Sequence, residues 1–211
     1  MHIVHSAFAL NHDDALQFAV HRGFGLLTAF DGQRPIGSHL PFIVRRDPAG
    51  VIVQAHVSQS NPLGLLADGR PFLLAVSGID AYISNDYYAS RDQISTWLYE
   101  AVHITGPTRR LSSTDNRNHG DALLQTFENR LAPKMPWHLD VMDPDKRSAM
   151  LNAIVTVEMT VTTVEGQRKF NQHKPDADHI AVVQALERSA DQTKVELALR
   201  LRNLRPQLAY D

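Results

Sequence analysis

Residues 37–62 read GSHLPFIVRRDPAGVIVQAHVSQSNP, two runs rich in valine and isoleucine on either side of a turn. The turn residues Asp47-Pro48-Ala49-Gly50 form a cluster that favours chain reversal, so the stretch predicts a β-hairpin. If its strands pair symmetrically about that turn, residue numbers that sum to about 95 lie opposite each other. His39 is then expected across from His56 or diagonal to it, on one face of the hairpin.

The chain after His56 has the chemistry of a helix start. Asn61 followed by Pro62 is typical of an N-cap and the first helical residue. A helix start presents unpaired backbone N–H groups and the positive end of the helix dipole, so residues 58–61 are a candidate phosphate site. The other interpretation, that Ser60 and Asn61 only cap the helix, stays open.

Composition excludes several classes of function. The chain has 211 residues, enough for one good core, and its 21 basic and 23 acidic residues give a formal net charge of -2. No basic field is present to attract nucleic acid or an anionic membrane. The absence of cysteine excludes disulfides, thiolate catalysis and cysteine-ligated metal centres. No signal peptide or long apolar run is visible, so we expect a cytoplasmic protein without a membrane anchor.

Further along the chain, strands alternate with turns at short spacing, which favours an antiparallel barrel with peripheral helices. Helices are predicted over residues 11–22, 63–67, 121–131, 144–152, 176–188 and 191–204, and further strands over 24–30, 72–76, 81–84, 94–105 and 153–164.

The strand predicted over residues 94–105 has two different faces. The aliphatic face is Ile94, Leu98, Val102 and Ile104, and the other face is Trp97, Tyr99, Ala101 and His103. The second face suits stacking on a planar ligand or on a partner subunit. A second hydrophobic layer inside a closed barrel is the alternative.

Motifs for common chemistries are missing. A metal site would have to use His39, His56 and His103 with a carboxylate, and their spacing matches no metal motif, so none is predicted. The G-x-S-x-G, Rossmann and Walker patterns are also absent. An anion-ready helix start, two histidines and an aromatic strand together suit a phosphorylated planar cofactor such as FMN.

Short motifs in a fixed order carry a family resemblance. They are Gly23-Phe24-Gly25, His39-Leu40-Pro41, Ala55-His56-Val57-Ser58 with Asn61-Pro62, Ala81-Tyr82-Ile83-Ser84, Thr96-Trp97 with Tyr99, Val102-His103 with Gly106, Pro136-Trp137, and Glu165-Gly166 leading to Lys169 and Gln172. In these the chain resembles the PaiB-type family of FMN-binding negative transcriptional regulators. It departs from the family pattern at residues 85–88, at Ser95 and Leu98, and at residues 170–173.

The resemblance implies a fold, a cofactor and a partner. The implied fold is mainly β with peripheral helices, an antiparallel split β-barrel of the FMN-binding type over residues 1–172 with a C-terminal helical extension over residues 173–211. Proteins of this type form homodimers with flavin in a groove between the subunits. The implied FMN contacts are Ser38, His39, Leu40 and Pro41 at the isoalloxazine edge, His56, Val57, Ser58 and Asn61 at the ribityl-phosphate end, and Trp97, Tyr99, Lys169 and Gln172 from the facing subunit.

The function implied by the resemblance is regulation of transcription, yet the sequence has no helix-turn-helix signature and no basic stripe. Only the last helix offers a modest local positive surface, through Lys194, Arg200, Arg202 and Arg205. Action on transcription through a partner, or as a dimer, is therefore favoured over direct DNA binding. Three alternatives stay open: a flavin-dependent reductase or oxidase of the pyridoxamine phosphate oxidase-like type, a cofactor-free interaction module, and haem held by one histidine on a related barrel.

Overall fold

The computed structural model describes residues 1–48 and 50–210. Ala49, in the predicted turn, and Asp211, the last residue of the predicted extension, lie outside the described residues. Eight strands occur in the described part of the chain. They are β1 (Ala9–Leu10), β2 (Phe24–Phe30), β3 (Pro35–Asp47), β4 (Gly50–Ser58), β5 (Asp68–Ile83), β6 (Thr96–Arg110), β7 (Ile154–Thr160) and β8 (Thr163–Lys169).

The helices begin where the sequence supplies capping side chains. Asn61 accepts from the backbone N–H of Leu63, and Asp143 accepts from two backbone N–H groups of the helix that it precedes. Proline occupies the first turn of both helices. The described α-helices are α1 (His12–Arg22), α2 (Pro62–Leu66), α3 (Asp115–Glu128), α4 (Pro144–Asn152), α5 (Asp176–Glu187) and α6 (Gln192–Leu204).

The strands form one sheet that closes on itself. Their order is β1-β8-β6-β5-β2-β3-β4-β7, and β6 also pairs with β7. The six strands from β6 to β7 therefore make a closed antiparallel barrel, which confirms the predicted mainly-β barrel with peripheral helices. The long central hairpin is β3 with β4, as predicted.

The chain divides into two compact units. The barrel unit comprises Leu16–Val76 and His103–Val164. The terminal unit comprises Met1–Ala15, Ser77–Val102 and Glu165–Asp211. Strands β5 and β6 contribute residues to both units, and the predicted domain boundary at residue 172 stays a prediction.

The core of the barrel unit comes from alternating apolar side chains. In β4, Val53, Ala55 and Val57 are each no more than 5% exposed, and Leu74 of β5 is fully buried. Burying one such aliphatic side chain contributes about 1.5–3 kcal/mol to stability. Gln54 is buried as well, because its side-chain amide donates to the Glu158 carboxylate at 2.7 Å.

In the terminal unit, α5 and α6 pack into a second core. Its members are Ala81, Ile83, Tyr88, Leu98, Phe170, Val182, Val183, Leu186, Leu197, Ala198, Leu201 and Tyr210. Apolar residues of both helices and of two strands thus share one cluster, which confirms the peripheral C-terminal helices.

The charges predicted to form a positive surface on the last helix are engaged in ion pairs. Arg202 contacts the Glu187 carboxylate at 2.5 Å, and Arg205 contacts Asp176 at 2.8 Å. Arg200 lies 2.7 Å from Glu196 and 3.4 Å from Glu100. Three of the four basic residues are therefore neutralised by carboxylates within the chain.

Several element boundaries predicted from the sequence are wrong. Residues 68–83 form one continuous strand, although the sequence predicted two separate strands over residues 72–76 and 81–84. The strand predicted over residues 153–164 divides into β7 and the start of β8. Ile94, expected on the buried face, is 82% exposed and precedes β6, whereas Leu98 and Val102 are fully buried as predicted.

Gly106 marks a close approach between two strands. A Cβ placed there would lie 1.9 Å from the Thr160 carbonyl oxygen, so only glycine fits this position. The strand continues past Pro107 to Arg110, beyond residue 105, where the predicted strand ends. Within residues 1–48 and 50–210, no helix has both the length and the apolar character to cross a bilayer.

Candidate functional site

Asn61 joins the two predicted ligand segments of the barrel unit. Its side-chain oxygen accepts from the Leu63 N–H at 3.0 Å, which caps α2. Its side-chain nitrogen donates to the Ser38 hydroxyl at 2.9 Å. One amide thus caps the helix start and links it to Ser38 of strand β3, so the two predicted segments, 38–41 and 58–61, are neighbours at this point.

The β3 half of this site has one exposed ring. His39 is exposed and stacks on Phe24, with ring centroids 6.3 Å apart and an interplanar angle of 19°. Leu40 is buried, while Ser38 and Pro41 are half-buried. The strand therefore presents Ser38 and His39 to its surroundings and uses Leu40 in the core.

The predicted register of the hairpin is wrong by two residues. Phe42 pairs with Ala55 and Arg46 with Val51, so paired residue numbers sum to 97 rather than 95. The described pairing between β3 and β4 ends at Phe42 and Ala55, so it does not include His39 or His56, and on its other edge β3 pairs His39 with Leu26 of β2. Barrel closure sets this register, because each strand must match its neighbours on both sides.

The imidazole that contacts His56 belongs to His119 of α3. His56 Nδ1 lies 3.0 Å from His119 Nε2, and the rings meet edge to face with centroids 5.2 Å apart. His119 is 2% exposed. Burial, with smaller effects of His56 and Arg45, lowers the pKa of His119 to about 4, and burial also lowers the pKa of His56. Both rings are therefore neutral at neutral pH.

Residues 58–60 form the exposed end of the site. Ser58 and Ser60 are exposed, with their hydroxyl oxygens 3.4 Å apart. Gln59 donates from its side-chain amide to the backbone carbonyls of Asn152 and Ile154. Arg110 donates to the Gln59 side-chain oxygen at 3.1 Å, which brings a cation to this segment.

Val57, the remaining predicted residue of β4, is buried. Its Cγ2 would be 3.2 Å from a Cβ placed at Gly64, so it packs against α2. Its side chain thus packs beneath the first turn of α2 in the core and is not accessible to a ligand.

The other four predicted residues lie in the terminal unit. Trp97 is 54% exposed and meets Tyr82 edge to face, with ring centroids 6.0 Å apart. Tyr99 is half-buried, and with Trp97 it lines a pocket of about 280 Å³ that also includes Asp80 and Glu100. The face predicted to be aromatic is therefore present and open to solvent.

Lys169 and Gln172 have partners inside the terminal unit. Lys169 Nζ donates to the Thr96 hydroxyl at 2.6 Å, and burial with a nearby lysine lowers its pKa. Gln172 accepts from the Phe170 N–H at 2.7 Å and donates to the Arg168 carbonyl. The Gln172 side chain is thus used to hold its own turn, and no ligand contact is needed to explain it.

His119 and Arg110 were both missed from the sequence. His119 lies in the first half of α3, which begins at Asp115 instead of the predicted residue 121. A signal was available, because Asn116 and His119 extend the apolar stripe of Leu123 and Phe127 at helical spacing. Its contact with His56 spans 63 residues of sequence, which local patterns do not reveal.

Comparison with known proteins identifies the family. Residues 1–163 match the model of the family described as "Putative FMN-binding domain". The chain belongs to this family. One relative, "Protease synthase and sporulation protein PAI 2" of Bacillus subtilis (strain 168), is 23% identical over 189 residues, which cover 89% of this chain and 90% of that protein. The family membership confirms the resemblance drawn from the motifs.

Solved structures share the fold. The FAD and heme binding protein from Mycobacterium smegmatis aligns with a TM-score of 0.55 and 16% identity, over 75% of this chain and 71% of that one. The flavocytochrome Anf3 from Azotobacter vinelandii aligns with a TM-score of 0.52 and 14% identity, over 76% of this chain and 69% of that one. At these identities the comparison establishes the split-barrel fold.

Proposed function

We propose that this chain is a cytoplasmic, homodimeric FMN-binding protein that acts as a regulator of the PaiB type. The observation that carries the proposal is the hydrogen bond from Asn61 to Ser38, which makes neighbours of the two segments assigned to the flavin. Membership of the FMN-binding family supports the same cofactor.

The residues of the barrel unit fit a phosphorylated flavin. Ser58 and Ser60 offer exposed hydroxyls to a phosphate, and the guanidinium of Arg110 adds positive charge beside them. Ser38 and His39 would line the ring edge. His56 and Val57 are assigned to the phosphate end only because they lie next to Ser58 in β4. Their side chains make other contacts, since the His56 ring meets His119 and Val57 packs against α2. FMN, when bound, supplies the redox chemistry, and the chain supplies position and charge.

A second copy of the chain would complete the groove. The exposed Trp97 and Tyr82 form an aromatic surface of the kind that subunit contacts cover. In this proposal Trp97, Tyr99 and Lys169 face the flavin of the other subunit. Gln172 is left out, because both ends of its amide are already bonded.

Regulation is proposed to act through a protein partner or through the dimer. The relative in Bacillus subtilis has a name that refers to protease synthesis and sporulation. The ion pairs of Arg200, Arg202 and Arg205 leave the last helix with little free positive charge for DNA phosphates. A salt-sensitive, sequence-specific shift of DNA by the purified protein would contradict this route.

The first test is the absorption spectrum of the freshly purified protein, followed by FMN titration monitored by flavin fluorescence. Ser58→Asp places a carboxylate in the proposed phosphate site, and we expect FMN affinity to fall at least about tenfold. Ser6→Asp adds the same charge at an exposed serine of the terminal unit and should bind FMN like the unmodified chain.

Each outcome has a clear meaning. If Ser58→Asp and Ser6→Asp both bind FMN with unchanged affinity, the cofactor does not bind at Ser58. A colourless protein with no response to FMN would contradict the cofactor and favour an interaction module. Saturable FMN binding with turnover of NADH or NADPH would favour the reductase over the regulator, and light scattering tests the dimer independently.

A further inference from the structure

A pocket of about 230 Å³ lies in the barrel unit between β4, α3 and α4. Leu123 and Leu124 of α3 and Met150 and Leu151 of α4 supply much of its apolar wall. Among the described residues that line the pocket, His56 alone has an ionisable side chain. The pocket is reachable from the surface, because Met150 is 41% exposed.

The hydrogen bond to His119 determines which proton His56 presents. His119 Nδ1 is buried without a partner among the described residues. A buried N–H without an acceptor is rarer and less favourable than a buried lone pair without a donor, so the proton of His119 is assigned to Nε2. His119 then donates to His56 Nδ1 across 3.0 Å, and the proton of neutral His56 is on its Nε2. His56 thus brings a hydrogen-bond donor to a lining whose other side chains are apolar apart from the indole N–H of Trp137.

The volume of the pocket and the charge of its lining restrict the class of ligand further. A dry cavity of about 150 Å³ is enough for benzene, whereas sites for drug-sized ligands begin near about 300 Å³. The pocket therefore suits a single ring with a small substituent. Its lining contains no acidic or basic side chain other than neutral His56 among the described residues, so a charged group would be desolvated without compensation.

We propose that this pocket binds a small uncharged molecule, the size of one substituted ring, whose single hydrogen-bond acceptor receives the Nε2–H of His56. The site is distinct from the exposed segment at Ser58 and Ser60, and the inference does not rest on FMN binding. His119 acts as a positioning residue, because it fixes the tautomer and the orientation of the ring that meets the ligand.

The test compares three probes of equal heavy-atom count. Acetophenone carries a carbonyl acceptor, α-methylstyrene replaces that oxygen by a CH₂ group, and benzoate carries a charge. The chain has two tryptophans, so the ¹⁵N-labelled protein gives two indole N–H signals in an NMR titration. Trp137 lines the pocket and should report binding, whereas Trp97 lies in the terminal unit and serves as the internal reference. Trp97→Phe assigns the two signals.

Acetophenone should shift the Trp137 signal saturably, with a dissociation constant of about 0.1–1 mM for a ligand of this size. α-Methylstyrene should bind about fivefold more weakly, the effect of one neutral hydrogen bond, and benzoate should not bind. In His56→Phe the preference for acetophenone should be lost or reversed, because its carbonyl then enters the pocket without a donor, while the matched variant His21→Phe, at an exposed position, should keep the preference. Equal binding of the neutral probes to the unmodified chain would overturn the role of His56.

Gly120→Ala separates filling of the pocket from loss of folding. Gly120 lines the pocket within α3, and a Cβ there would lie 3.2 Å from Leu139 Cδ1 and 3.6 Å from Leu151 Cδ2, both flexible side-chain ends. Alanine also favours the helix, so the melting temperature should not fall. We expect both neutral probes to bind at least about threefold more weakly. Unchanged binding in Gly120→Ala, or no response of Trp137 to either neutral probe, would overturn the site itself.

Discussion

Mild acid should destabilise this protein through His119. Its pKa is about 4 in the folded chain, compared with 6.5 for the free side chain, because the ring is buried beside His56. The unfolded state therefore binds more protons than the folded state between these two values, so stability falls as the pH drops from 6.5 toward 4. Burial also lowers the pKa of His56 and of His179, which act in the same direction.

The size of the effect follows from the pKa difference. Each unit of difference corresponds to about 1.4 kcal/mol, so His119 alone accounts for about 3 kcal/mol once the pH is well below 4. Between pH 7 and pH 4.5 the corresponding loss is about 2 kcal/mol. That is a substantial part of the net stability of a typical domain, about 5–15 kcal/mol.

Urea unfolding at several pH values measures the effect directly. His119→Phe keeps a ring in contact with His56 and removes the titrating group, so its stability should change by about 2 kcal/mol less than that of the unmodified chain between pH 7 and 4.5. His21→Phe, at an exposed position, should follow the unmodified chain. Identical pH dependence in His119→Phe and the unmodified chain would refute the reasoning, because it would mean that His119 does not remain neutral when folded.

Three further tests, two of them with a second substitution for comparison, probe contacts in the two units by denaturant unfolding. Asn61→Ala removes a helix cap and the hydrogen bond to Ser38, so it should lower the free energy of unfolding by about 2 kcal/mol. Ser38→Ala removes only that hydrogen bond and should lower it by about 1 kcal/mol. Equal losses would contradict the double role of Asn61. Glu100→Ala removes the carboxylate shared by Arg168 and Arg200, and since both arginines are partly exposed and Arg200 keeps Glu196, it should lower the stability by about 1–2 kcal/mol; no measurable loss would argue against the ion pairs. Gly106→Ala should prevent folding or lower the free energy of unfolding by at least about 3 kcal/mol. Gly32 has φ +105° and open space around it, so Gly32→Ala should lower that free energy by only about 1–2 kcal/mol. A stable, folded Gly106→Ala variant would contradict the close approach.

Local chemistry explains what the sequence could predict. The helix start at Asn61 and Pro62 was correct because an N-cap and a proline act on their own turn, whatever the rest of the chain does. The prediction of a hairpin formed by β3 and β4 was also correct, because the turn residues act locally. Its register was wrong because residues far along the chain decide it, and the ladder between β4 and β7 fixes His56 opposite Thr156.

Tertiary context explains the rest. Ser77-Gly78 has the local signature of a bend, yet strand pairing keeps β5 continuous through it. The contact of His56 with His119 could not be predicted, since it depends on α3 packing over β4. His119 was itself readable as part of a helical stripe, but only with a helix that began six residues earlier than the leucines suggested.

The departures from the family pattern show which part of the proposed site has changed. Asn85 and Ser95 both differ from that pattern, and they contact each other: the Asn85 N–H donates to the Ser95 hydroxyl at 3.0 Å. Phe170, a third departure, is 1% exposed in the core formed with α5 and α6. These departures lie in the terminal unit, while the barrel residues Ser58 and Asn61 belong to the motifs that match the pattern. The phosphate end should therefore be retained, and the surface proposed to face the flavin from the second copy is where this chain should differ in ligand preference.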